Sequence, residues 1–342
     1  MKVGIIGFGR IGKVHAESLI RYASGIEVKA IADPFISEES KLWAKANGVK
    51  EVYSDYEKIL ADKEIDIVLI CCPTDQHFIV SKKAILSGKH VFCEKPVSHS
   101  VEEILEIKKL LEKYNVLYQV GFNRRFDKNF ATLKEKVASG MIGDLHILKI
   151  TSRDPAPPPI SYVKVSGGMF LDMTIHDFDM VRFVSGEEVE EVFVFGGVMV
   201  DEEIGKAGDI DTAIISLKLK SGALAVIDNS REAAYGYDQR VEAFGSKGQI
   251  IAKNELENTT VIATKDGILS RTPKYFFLER YMQAYTEEIK QFVESIKSKS
   301  CTVCGVDDGL KPVLIGLAAK KSLKENRPVK IAEIEKEYGI KS

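Results

Sequence analysis

The sequence predicts an α/β chain of two domains, the first a doubly wound parallel sheet and the second an α+β domain built on a large, mostly antiparallel open sheet. Three observations carry this. The 342 residues exceed the usual size of one hydrophobic core, so two domains are expected. Short β-branched-rich runs at Lys2–Ile6, Val28–Asp33, Ile65–Cys71, His90–Cys93 and Leu117–Gly121 have stretches of helical spacing between most of them, which reads as a βαβ series. From Leu145 onward strand-like runs instead follow one another, separated by turn signals such as Ser221-Gly222 and Ser246-Lys247-Gly248.

The first five runs are apolar throughout rather than alternating, as strands covered by helices on both faces are. They place the first domain at 1–121 and the second at 122–342. In the second, strands are expected at Leu145–Arg153, Glu191–Val200, Thr212–Leu219, Ala223–Ser230, Gln239–Ala243 and Gln249–Ala252. Helices are expected at Asp172–Val184 and Tyr281–Ile296. A last one at about Asp307–Glu325 carries the stripe Leu310, Leu314, Leu317 and Ala318 and is expected to pack back on the first domain. Pro155–Pro159 is too short for a linker and reads as a stiff loop.

Composition narrows the function classes. Forty-eight basic residues against 50 acidic give a net charge of −2 with no basic stripe, so neither nucleic acid nor a membrane surface is an expected partner; a small molecule is. No apolar run approaches the ~20 residues that span a bilayer. The longest candidate, Val192–Val200, is interrupted by Gly196 and Gly197. Five cysteines do not form a disulfide framework, and the chain opens on a buried-strand pattern with no room for a leader, so a cytoplasmic protein with reduced thiols is expected.

Gly7-Phe8-Gly9-Arg10-Ile11-Gly12 directly follows the first strand and opens a helix, the context a dinucleotide-binding Rossmann turn requires. Gly7 permits the tight turn, Gly9 lets backbone approach a pyrophosphate, and Gly12 lets helix and strand pack closely. Asp33, at the end of the second strand, is placed to accept both ribose hydroxyls, and its charge would repel a 2′-phosphate, so NAD is preferred over NADP. Arg10 is the one residue that could soften this preference. Pro73, Thr74, His77, Glu94, Lys95 and Asn123 complete the expected cofactor-binding set.

Cys93-Glu94-Lys95-Pro96 lies at the carboxyl end of a strand, where open α/β sheets bind ligands, so Lys95 is expected at the crevice. In Asp172-Met173-Thr174-Ile175-His176-Asp177-Phe178-Asp179 the spacings of four and three put Asp172, His176 and Asp179 on one helical face, with apolar residues on the others. The chemistry uniting these pieces is oxidation of an alcohol. His176 is the candidate general base, Asp172 orients its ring, and Lys95 stabilises the developing alkoxide while hydride leaves for a nicotinamide. Cys301-x-x-Cys304 is a single pair without a second pair or a nearby histidine, and no metal is expected.

In this order the glycine loop, the Glu-Lys-Pro triplet and the Asp172-x3-His176 segment resemble the glucose-fructose oxidoreductase/inositol dehydrogenase/MocA-like family across essentially the whole chain. Gly121–Asp127, Ser152–Pro155, Ser166–Asp179 and Tyr235–Arg240 resemble its inositol 2-dehydrogenase branch. The resemblance implies NAD-dependent oxidation of the axial hydroxyl of myo-inositol to scyllo-inosose. It also implies substrate contacts by Lys95, Arg124, Asp154, Asp172, His176, Asp179 and Tyr235, and a homo-oligomer, commonly a tetramer packed through the open sheet face. Donors and acceptors of these types suit a ring bearing hydroxyls all round. The alternatives are a dehydrogenase of the same family for scyllo-inositol or a pyranose, and a non-catalytic NAD-binding regulator, which would not need Lys95, Asp172 and His176 together.

Overall fold

The computed structural model describes residues 1–340. Among them the chain divides into two compact units, one of Met1–Phe126 with Gln283–Lys311, the other of Asp127–Met282 with the described residues from Pro312 on. Both the α/β class and the two sheet types expected from sequence are observed.

The first unit holds six parallel strands, β1 (Lys2–Ile6), β2 (Glu27–Ala32), β3 (Glu51–Tyr53), β4 (Ile67–Ile70), β5 (His90–Glu94) and β6 (Tyr118–Gly121), in the order β3-β2-β1-β4-β5-β6. The order reverses beside β1, which pairs Ile5 with Ile31 on one side and Leu69 on the other. This is the topological switch point where a crevice opens at the strand ends. Val3, Ile5, Ile31, Ile67, Leu69 and Phe92 are fully buried, as the unbroken apolar runs require, and Ile289, Phe292 and Val293 of the helix Met282–Ser298 belong to the same core. Ser37 and Ser100 cap two of the flanking helices through their hydroxyls. The short edge strand β3, half-buried and opened by a glutamate, is absent from the sequence expectation because three residues carry no periodicity.

The second unit is built on β7 (Leu145–Arg153), β8 (Val189–Gly197), β9 (Thr212–Leu219), β10 (Leu224–Ser230), β11 (Asp238–Gly245) and β12 (Gly248–Ala252). A separate hairpin, β13 (Val261–Thr264) and β14 (Gly267–Ser270), and a two-residue β15 (Val329–Lys330) complete the strands. The seven-stranded sheet runs β12-β11-β7-β10-β9-β8-β15. All its pairs are antiparallel except β7 with β10, which is parallel because the chain crosses over between them. The hairpin escaped prediction because every one of its residues is exposed, leaving no burial pattern to read.

One helix departs from expectation. The predicted Asp172–Val184 segment is two helices, Met169–Asp172 and Ile175–Ser185. The amide of Thr174 reaches back five residues to the carbonyl of Met169, and those of His176 and Asp177 reach back only three, so the regular ladder is broken at Thr174. Its hydroxyl is held by Asn229 at 2.6 Å, which pulls the turn toward the sheet. Asp172 and His176 therefore do not share one helix: Asp172 ends the first, and His176 stands in the first turn of the second.

Candidate active site

In the first unit the glycine loop has the geometry its residues promise. Gly7 has φ = +89°, and a Cβ there would lie 2.4 Å from the backbone nitrogen of Cys72; one on Gly12 would lie 2.2 Å from the carbonyl oxygen of Gly7. A Cβ on Gly9 would meet nothing within 4 Å. Two glycines thus serve packing, and the third faces open space where backbone can approach a ligand. The helix Arg10–Tyr22 starts there with no acidic residue in its first turn and no side-chain cap, so its amides and dipole are available to a pyrophosphate. Asp33 accepts from the amides of Phe8 at 2.7 Å and Phe35 at 2.8 Å, one on each carboxylate oxygen. That holds it still and leaves a lone pair on each oxygen for a ribose diol. These residues fit NAD.

Pro73 precedes the helix Thr74–Leu86, which buries His77. His77 joins two loops: Nδ1 is 2.7 Å from the carbonyl of Pro96 and Nε2 is 2.8 Å from that of Cys72. Carbonyls only accept, so both ring nitrogens donate and the ring is an imidazolium. Burial alone opposes that charge, but Cys93 and the two carbonyls outweigh it and raise the pKa to about 9. The loop carrying Pro73 and Thr74 is thereby tied to Glu94-Lys95-Pro96, so these expected cofactor residues converge. Asn123 and Arg124, both buried, follow β6 in a short 3₁₀ turn. Burial pushes the thiol of Cys71 well above its ordinary value and that of Cys72 up to about 12, leaving neither a nucleophile.

A stability prediction follows from His77. Because its pKa is raised on folding, its contribution is fully present below the unfolded value near ~6.5 and is lost as pH rises through about 9. Chemical unfolding across that range is expected to show the wild type losing about 3 kcal/mol relative to His77→Gln, which cannot titrate. Parallel curves for the two proteins would refute the imidazolium.

In the second unit Gly167 and Gly168, at φ = +87° and +80°, turn the chain into the helix Met169–Asp172. Asp209 caps it, both carboxylate oxygens accepting from the amide of Met169 at 3.1 and 2.9 Å. Asp172 accepts from the Tyr162 hydroxyl at 2.8 Å and from both terminal nitrogens of Arg231 at 3.2 Å. The same guanidinium lies 3.6 Å from Asp154, so Asp154 and Asp172 share one buried cation. His176 is half-buried. The turn beneath it is stapled to the sheet: Asn229 accepts from Thr174 and donates to fully buried Asp177 at 2.9 Å and to the Ser152 carbonyl at 3.2 Å. Asp179 is buried 3.9 Å from Arg182. Tyr235 is 44 % exposed and sits before β11, its hydroxyl accepting from Arg153 at 3.0 Å and donating to Asp238 at 2.6 Å. Burial and then Asp238 raise its pKa, keeping it a neutral donor.

Asp154, Asp172 and Arg231 are thus brought together, whereas Tyr235 belongs to a neighbouring cluster with Arg153, Asp228 and Asp238. Sequence reasoning missed Arg231, Asn229, Asp177 and Tyr162. The only signal for the first two was an Asn-Ser-Arg triplet ending an apolar strand. Asp127 is paired with buried Arg280 and caps the following helix. Cys304 is buried and Cys301 exposed.

Comparison with known proteins agrees with this geometry. Residues 1–122 match the model of an oxidoreductase family with an NAD-binding Rossmann fold, and residues 130–251 match the GFO/IDH/MocA C-terminal domain. The chain is 50% identical to a myo-inositol 2-dehydrogenase of Thermotoga maritima over 98% of its own length and 99% of the relative's. It is similar to the crystal structure of a myo-inositol dehydrogenase from Corynebacterium glutamicum, with a TM-score of 0.91, 37% identity and coverage of 96% and 98% of the two chains. It is also similar to that of a scyllo-inositol dehydrogenase from Lactobacillus casei with bound NAD(H) and scyllo-inositol, with a TM-score of 0.89, 32% identity and coverage of 97% and 99%.

Proposed function

Because the chain belongs to the GFO/IDH/MocA oxidoreductase family, we propose that it oxidises a cyclic polyol with NAD, myo-inositol to scyllo-inosose being the reaction the observations favour. The whole-length likeness to a relative named for myo-inositol carries the substrate reading. Bound NAD supplies the hydride acceptor. Gly7, Phe8, Gly9, Arg10, Ile11 and Gly12 would hold its pyrophosphate, Asp33 its ribose, and Pro73, Thr74, Glu94, Lys95 and Asn123 the remainder, with His77 acting from behind by tying two of these loops together.

His176 takes the hydroxyl proton as general base, a role contributing typically ~10²–10⁴-fold. Asp172, fixed by Tyr162 and Arg231, orients that imidazole and stabilises its protonated form. Lys95 stabilises the developing alkoxide. Arg124, Asp154, Asp179 and Tyr235 pair with the other ring hydroxyls, an arrangement that rejects substrates lacking them because buried polar groups would be left unmatched.

The chain acts as a homotetramer in the cytoplasm. Association through the open face of the seven-stranded sheet is supported by exposed apolar side chains in register: Ile147 beside both Leu224 and Phe244, and Phe195 beside Ile214. The cytoplasm is supported by five cysteines that are all free thiols. No helix among the described residues is long and apolar enough to cross a membrane.

The test is NADH absorbance on mixing protein and NAD with myo-inositol, scyllo-inositol and D-glucose separately. Fastest reduction is expected with myo-inositol, and a far lower kcat/KM with NADP because the Asp33 carboxylate would repel a 2′-phosphate. Preference for scyllo-inositol would favour the second reading, which the Lactobacillus casei likeness supports; silence with every polyol despite NAD binding would mean a regulator.

A further inference from the structure

Three titratable side chains of the first unit meet in a buried cluster, of which the reaction above uses Glu94 alone, as a cofactor contact. His15 lies on the helix that opens from the glycine loop, Glu94 ends β5 immediately before Lys95, and Glu288 lies on the helix Met282–Ser298. His15 and Glu288 are both 0% exposed, and one nitrogen or carboxylate oxygen from each of the three lies within 4.8 Å of the others. The His15 Nε2–H donates to Glu94 at 2.7 Å. The edges of Phe92 and Tyr285 close on the imidazole, 5.0 and 5.7 Å between ring centres, so the surroundings are apolar.

Glu288 is the anomaly. Among the described residues neither of its carboxylate oxygens has a hydrogen-bond partner; Gln119 donates to its backbone carbonyl at 2.9 Å and not to its side chain. A buried, unsolvated carboxylate beside a second carboxylate would face both a desolvation cost and like-charge repulsion. Two carboxyls so placed share a site by having one of them protonated.

We propose that Glu288 is a neutral carboxylic acid sharing its proton with the Glu94 carboxylate, and that it is the positioning residue which fixes the strand end carrying Lys95. The hydrogen bond is made directly after a small rotation or through one buried water. Glu94 is then held from both sides, by the imidazole N–H of His15 and by the acid of Glu288. Gly121 packs behind it, where a Cβ would come within 3.0 Å of Oε2. The groups facing the cluster are Cys71, Gln119, Phe92 and Tyr285, none of which brings a cation. Burial, then the charge of Glu94, raises the pKa of Glu288 far above the carboxylate range, in the direction the geometry requires. Because Glu94 and Lys95 are adjacent, the proton on Glu288 bears on catalysis through Lys95 without touching substrate.

The inference rests on the role assigned to Lys95, and the test separates the two. Glu288→Gln keeps the shape and a donor without charge, so it is expected to match the wild type within about threefold in kcat and NAD affinity. Glu288→Ala is expected to lower kcat about tenfold with NAD affinity little changed. Infrared difference spectra, wild type minus Glu288→Gln at pH 7, are expected to show a protonated carboxyl stretch that shifts on Glu94→Gln; this readout needs no substrate and survives if the polyol reading fails. Three results would each overturn the proposal: a Gln variant as impaired as the Ala variant, absence of the protonated band, or a stoichiometric metal ion lost on His15→Ala.

Discussion

Replacing His176 by alanine is expected to lower kcat with myo-inositol by ~10²–10⁴-fold while NAD binding stays as it is. The residues that fit NAD lie in the unit of Met1–Phe126, and His176 lies in the other, in the first turn of Ile175–Ser185. Removing an imidazole from that turn leaves intact the bonds that hold it, since Thr174, Asn229 and Asp177 form them. The loss is therefore expected to fall on proton removal. The alkaline gain typical of a missing base, in which hydroxide in solution partly replaces it, should appear in the variant and not in the wild type. Steady-state rates with fluorescence titration of NAD check both halves, and a kcat within threefold of wild type would remove His176 from the mechanism.

Arg231→Met is expected to cost about 3–5 kcal/mol of stability, because it strips the counter-charge from two carboxylates at once. The Arg231 side chain is 4% exposed, and its guanidinium bridges to Asp172 and lies 3.6 Å from Asp154; the side chains of the two acids are 11% and 15% exposed. Both acids would then repel each other in a poorly solvated place, and Asp172 would lose the guanidinium that holds its carboxylate in position. Arg231→Lys restores the charge without the planar fork and should recover part of the stability but less of the activity. Urea midpoints and kcat/KM for the two variants measure this; an unchanged midpoint for the methionine variant would show that Asp154 and Asp172 are not compensated by Arg231.

The contrast between these two residues shows where sequence was legible. His176 and Asp172 stand four apart in a segment with apolar flanks, so both could be picked out as candidates without coordinates, although the break at Thr174 that puts them on separate helices could not: it depends on Asn229, fifty-five residues away. Arg231 was hidden for the same reason, its partners lying at 154 and 172. The six-stranded sheet was nearly all legible, because full burial on both faces writes unbroken apolar runs such as Ile67–Ile70 into the chain. Six of the seven strands of the open sheet were legible, with alternation plain in β9; two-residue β15 is too short to carry a pattern, and the parallel pairing of β7 with β10 is a property of the crossover and leaves no local mark. The glycine loop and Asp33 were found because phosphate and ribose recognition constrains backbone and spacing together. His77 gave no sign of its charge, since only the two carbonyls on either side of the ring reveal it.

The core of the first unit draws Ile289, Phe292 and Val293 from a helix near the far end of the chain, and Gln119 is anchored to the carbonyl of Glu288. During synthesis the six strands therefore emerge long before the segment that seals one side of their sheet. The nascent half-molecule must wait, with its apolar face unsealed, until more than 150 further residues have been added, roughly 10–30 s at usual elongation rates. The order of translation makes this first-written unit among the last to be finished.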